Sequence, residues 1–265
     1  MTTPDEHHHS ILQDFRDLAE KTRKSFLLAV QFLTIFPYPR NLSIQERDLG
    51  RSMGQFSAVG AILGFILYLV DWLLAGHLPI DLIDILLLII LTVLTGGLHL
   101  DGLADTMDGV GGIRRQSERL AIMKDSRLGT FGASGLIFLL LLDLMALHHL
   151  GEHRGTYIFL APLLSRFSMV ISALTQPYAR REDGLGRSFI EEVSLQDLAL
   201  AGGIALVACL ILLGTKGLIL FCLVSGLTLL LGNYFRYRLG GITGDTLGAN
   251  NELMMALVWF FGCIR

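Results

Sequence analysis

The chain has 265 residues, 52% of them apolar and 17% charged, with a formal net charge of −3. An ordinary globular protein carries about 25% charged residues, so these values and a mean hydropathy of +0.57 exclude a conventional soluble domain and point to repeated membrane crossing. The near-neutral charge gives no footing for nucleic acid, and Cys209, Cys222 and Cys263, scattered through apolar runs, read as small hydrophobes.

Residues 1–24 are polar and include His7, His8 and His9, which read as a solvated tail; no small-residue cleavage site follows the first apolar run. That run, residues 26–36, is too short to cross a hydrocarbon core that needs about 20 residues. Pro37 and Pro39 stop it, and it reads as a short N-terminal re-entrant or interfacial helix. The spanning candidates follow at residues 56–75, 80–98, 130–150, 156–174, 198–213, 217–235 and 252–264, the last of them short. The expected architecture is an all-α, polytopic helical bundle of about seven transmembrane helices, forming one membrane domain over residues 1–265.

Charge orients this bundle. Arg40, Arg47, Arg51, Arg114, Arg115, Arg119, Lys124, Arg127, Arg180, Arg181, Arg187, Arg236 and Arg238 fall in the long connections, against Arg154, Lys216 and Arg265 on the other side. Basic residues favour the cytoplasm, so the long connections are expected to meet at the cytoplasmic face of a bacterial inner membrane.

The densest charge lies in residues 96–132. Asp101, Asp105 and Asp108 stand at i, i+4 and i+7, which places them on one helical stripe about 60° wide. Like charges so spaced repel, so a cation is expected over them. Mg²⁺ fits, because it takes oxygen ligands and bridges carboxylates to phosphates. Glycines 96, 97, 102, 109, 111 and 112 surround the acids, as expected where backbone approaches a ligand or another helix. Lys124, Asp125 and Arg127 precede Gly129 and Gly132 at the start of an apolar helix; cations beside free backbone N–H groups suit a phosphate, and anionic lipid is the competing reading. A third cluster, residues 240–252, brings Asp245, Asn250 and Glu252 amid glycines as a second set of oxygen donors. Asp143 and Arg166 lie inside predicted spans, where ionisable groups face a cavity or a partner. His99 is a candidate base, ligand or hydrogen-bonding helper.

Residues 97–109 (GLHLDGLADTMDG), 122–132 (IMKDSRLGTFG) and 244–252 (GDTLGANNE), with 32–39 (FLTIFPYP), closely resemble the cobalamin synthase family, the adenosylcobinamide-GDP ribazoletransferases. The resemblance implies a Mg²⁺-dependent phosphotransfer. α-Ribazole or its 5′-phosphate attacks the cobinamide-linked phosphate of adenosylcobinamide-GDP, and GMP leaves. It implies Asp101, Asp105 and Asp108, with Asp245 and Glu252, as metal ligands, and Lys124 and Arg127 as phosphate grips. One aspartate or His99 would be the proton acceptor, with Asp125, Arg166 and Asn250 as further substrate contacts. Membrane lipid is an expected partner, and a homo-oligomer stays open. A CDP-alcohol phosphotransferase is the rival enzyme, but its motif spacing is not reproduced. A transporter would show inverted repeats, and none is visible.

Overall fold

The computed structural model describes residues 4–37, 44–180 and 185–264; Tyr38, Pro39, Arg40, Arg181 and Arg265 lie outside them. Among the described residues the secondary structure is helical throughout. The helices are α1 (Pro4–Leu33), α2 (Glu46–Ser52), α3 (Phe56–Leu74), α4 (Ile80–Leu94), α5 (Leu98–Val110) and α6 (Gln116–Ile122). They continue with α7 (Thr130–His149), α8 (Arg154–Thr175), α9 (Leu185–Glu191), α10 (Leu195–Leu213), α11 (Thr215–Leu239) and α12 (Gly244–Gly262). Five stretches are long and apolar enough to cross a membrane: Glu46–Leu74, α7, α8, α10 and α11. The bent pair α4–α5 makes up to six.

Three sequence expectations change. The apolar run at residues 26–36 is not a separate short helix: its residues 26–33 are the end of the 30-residue α1. Its Leu28, Ala29 and Leu33 are buried, and the Phe32 ring lies 4.2 Å from the tilted ring of Phe189 and stacks on Phe56 at 5.9 Å, so the helix packs on protein. The span expected at 80–98 stops at Leu94. Gly96 and Gly97 take left-handed φ values of 62° and 69°, which favour glycine, and α5 leaves at 90° to α4. The third change concerns residues 240–252, read as a loop ahead of a short span. Thr243 caps a helix there, accepting from the Thr246 N–H at 3.2 Å. Asp245 therefore lies in the first turn of α12, and Glu252 lies in its interior.

α8 is the axis. Its spanning window is 83% buried against 22–33% for the other four spans, so those four turn apolar faces outward while α8 is enclosed. Glycine lets α3 lie close on it: a Cβ at Gly60 would strike Pro162 O, and one at Gly64 would strike Phe159 O. Small residues four apart are the usual device for close helix approach in membranes. α12 is buried beside α8, and one continuous apolar core runs from α1 to α12.

The bundle has two chemically different ends. At one, the connections meet: Ile35 N–H donates to Leu94 O at 2.9 Å, and the Gln116 side chain donates to Leu239 O at 2.6 Å. Ala179 N–H and Ile242 N–H bond across to Ile242 O and Pro177 O, each at 2.8 Å. At the other end, Arg154 donates to Asp71 at 2.8 and 3.0 Å and to Asp84 at 2.6 Å, with His148 Nδ1 3.3 Å from Asp84.

Candidate active site

The acids collect at the connection-rich end, and the elbow at Gly96–Gly97 puts them there. It turns α5 away from the α4 axis, and α12 then crosses α5 at glycines. A Cβ on Gly102 would lie 2.8 Å from Asp245 O, and one on Gly248 would lie 3.2 Å from the His99 backbone. This close crossing sets Asp245 beside Asp101 and Asp105, and the charges of all three carboxylates act on one another. Asp101 is exposed, while Asp105 and Asp245 are half-buried. Arg180 Nη2 donates to Asp245 Oδ2 at 2.6 Å.

The expected stripe divides at Asp108. Its two oxygens accept from Gly129 N–H at 2.7 Å and Gly132 N–H at 2.9 Å. A carboxylate at a helix N-terminus satisfies orphan donors and meets the positive end of the helix dipole. The backbone N–H groups expected to receive a phosphate at the start of α7 are thus taken by Asp108, whose charge also acts on Asp105. Lys124 is exposed at the end of α6. Arg127 is exposed and forks onto Asp125 at 2.6–3.1 Å; its guanidinium holds the Asp125 carboxyl below the usual carboxylate range.

Deeper in the bundle lies a second polar group, on α5, α7, α8 and α12. Arg166 is fully buried. It donates to Ser165 Oγ at 3.0 Å and approaches His99 Nδ1 at 3.5 Å. A guanidinium only donates, so His99 Nδ1 is the acceptor in that contact, and Nε2 has no hydrogen-bond partner among the described residues. Glu252, expected among the metal ligands, is buried here. It accepts from Asn251 at 3.0 Å and shares charge interactions with Arg166 and with Asp143. Asn250 donates to Ser168 Oγ at 2.7 Å. Arg166, Asn250 and Glu252 therefore form an interior network one layer below Asp101, Asp105 and Asp245.

Among the described residues, no three His, Cys, Asp or Glu side chains stand as a ready-made metal cage. The donor set of Asp101, Asp105 and Asp245 nevertheless fits a hard divalent cation. All donors are carboxylate oxygens, they repel one another, and one is open to solvent. Mg²⁺ is commonly held by one or two carboxylates and completed by substrate phosphates.

Two features escaped the sequence. Arg180 stood among the orienting arginines, and only the bridge between Tyr178 and Ile242 reveals that it faces Asp245. Arg119 and Arg238 read as topological charges too. Instead they donate to the carbonyls at the end of α5: Arg119 to Val110 O at 2.7 Å and Gly112 O at 3.1 Å, and Arg238 to Val110 O at 2.7 Å. Cations suit the negative end of a helix.

A family model described as cobalamin-5-phosphate synthase matches residues 25–263. Similar proteins named adenosylcobinamide-GDP ribazoletransferase come from Geotalea daltonii, Syntrophobacter fumaroxidans and Clostridium tetani. The first is 41% identical over 86% of this chain and 92% of the relative, the second 40% over 88% and 95%, and the third 36% over 87% and 92%. No solved structure matches. The match takes in α5, the α6–α7 connection and the start of α12, the three segments that build the acidic site, and the chain belongs to the cobalamin-5-phosphate synthase family.

Proposed function

We propose that the protein is an adenosylcobinamide-GDP ribazoletransferase of the bacterial inner membrane, with the connection-rich end of its bundle in the cytoplasm. The reaction forms a bond from a ribose hydroxyl of α-ribazole, or of its 5′-phosphate, to the phosphorus attached to cobinamide. It breaks the bond from that phosphorus to the bridging oxygen and releases GMP. The observation that carries the reading is the meeting of Asp101 and Asp105 on α5 with Asp245 on α12, in a chain similar to proteins that bear this name.

Asp101, Asp105 and Asp245 would hold Mg²⁺, which when bound neutralises diphosphate charge and polarises the phosphorus for attack. The chain supplies the rest. Lys124 and Arg127 draw the phosphates to the bundle end, and Arg180 offers a fork to phosphate oxygens where it now meets Asp245. An aspartate of the set, or His99 beside them on α5, takes the proton of the attacking hydroxyl. Asp108 fixes the α6–α7 connection that carries Lys124 and Arg127. Arg166, Glu252 and Asn250 stiffen the layer beneath α5.

The orientation is supported by the positive-inside rule, since the basic connections and the acids share one end. Seven crossings result if α4–α5 counts as one and α12 as a crossing shielded by its neighbours. Purified protein in detergent, given adenosylcobinamide-GDP, α-ribazole and Mg²⁺, should release GMP, and a chelator should stop it; no GMP under these conditions would end the reading.

A further inference from the structure

Next to the carboxylates lies a cleft that they do not explain. Its volume is about 820 Å³, within the roughly 300–1,000 Å³ typical of small-molecule sites. Among the described residues Arg115, Lys124 and Arg180 line it, and no acid does. Such cations attract phosphate oxygens. The remaining wall includes Leu120, Ala121 and Ala179, which give a planar base an apolar surface.

Both walls are anchored to the α11–α12 junction. The Gln116 side chain ties the start of α6 to Leu239 O at 2.6 Å. The opposite wall is tied by Ala179 N–H to Ile242 O at 2.8 Å. The cleft is therefore fixed by the same backbone that positions Asp245. Arg180 borders both regions, lining the cleft while its Nη2 donates to Asp245.

Resting on the function proposed for the acids, the geometry points to this cleft as the seat of the guanosine 5′-phosphate half of the substrate, the leaving group. When the ribose oxygen bonds to phosphorus and the bridging P–O bond breaks, the electron pair goes to the departing nucleotide. Negative charge grows on its phosphate while the hydroxyl proton passes to a carboxylate or to His99. Cations placed where that charge develops stabilise the transition state. The attacking nucleoside, uncharged when it is α-ribazole, has no use for three cations.

The test uses full-length protein in detergent and guanosine 5′-diphosphate as the probe, with affinity measured calorimetrically without metal. Two variants are compared with the parent: the double variant R115Q/K124Q, and A121W, which fills the cleft from an exposed position. Each should weaken GDP at least about tenfold, the scale of one lost charge-assisted contact. Each should raise KM for adenosylcobinamide-GDP by a like factor and leave KM for α-ribazole unchanged. Unaltered GDP affinity in both variants overturns the assignment, as does a loss confined to α-ribazole 5′-phosphate. If the double variant fails to fold, A121W decides alone. GMP release by the parent with both variants indifferent to GDP sinks the cleft and spares the catalytic reading; GDP binding in the cleft without GMP release does the reverse.

Discussion

Asp105 and Asp108 lie one helical turn apart on α5, yet their oxygens meet opposite kinds of partner. Asp105 faces other carboxylates, whereas Asp108 accepts two backbone N–H groups of α7. The difference separates two outcomes that a shared motif would merge. Asp105→Asn should lower GMP release by several orders of magnitude without lowering the melting temperature, because it removes repulsion along with a ligand. Asp108→Asn should cost about 1.5–3 kcal/mol of stability, the scale of hydrogen bonds to a charged group, and melting curves of the two variants would check the split. The motif's spacing was legible in the sequence. The direction in which each carboxylate turns was not, because it depends on where α7 begins relative to α5, a contact between residues more than twenty positions apart. His99 was ambiguous for a similar reason: its nearest charged neighbour, Arg166, arrives from α8.

Apolar run length located five of the seven expected spans to within a few residues at most ends, since long apolar runs leave little choice in a bilayer. The misreadings fell at glycines. Gly96 and Gly97 lie inside the expected span 80–98, but their left-handed φ values make a 90° corner; the glycines at 244 and 248 look like a loop and belong to α12. The Gly102–Asp245 approach allows no side chain. Gly102→Val should therefore push α5 from α12 and abolish turnover, with membrane insertion retained in cell fractionation. Gly64→Leu should instead damage folding, because the bulk would strike the Phe159 backbone at the α3–α8 seam. A detergent melting curve distinguishes the two glycine variants.

Across the whole molecule, chemistry and anchoring occupy opposite ends. Arg154 joins Asp71 and Asp84, the latter fully buried, and so ties the far ends of α3, α4 and α8 together. Arg154→Met leaves two acids without their cation, a loss of about 3–5 kcal/mol for a broken buried pair. It should lower the melting temperature while the surviving folded fraction keeps the parental KM for adenosylcobinamide-GDP. A changed KM would mean that the two ends are coupled. Sequence charge counting noticed Arg154 as an exception to the basic-loop pattern, but its acidic partners were hidden inside apolar runs. The corner at Gly96–Gly97 has a further bearing on how so bulky a reactant is handled. With α5 laid crosswise, its acids form a ledge instead of the lining of a vertical shaft, and a macrocycle can settle on such a ledge from the water side. On the proposed orientation no passage through the hydrocarbon is required, and the bilayer is a mounting for the catalyst rather than a route for its substrate.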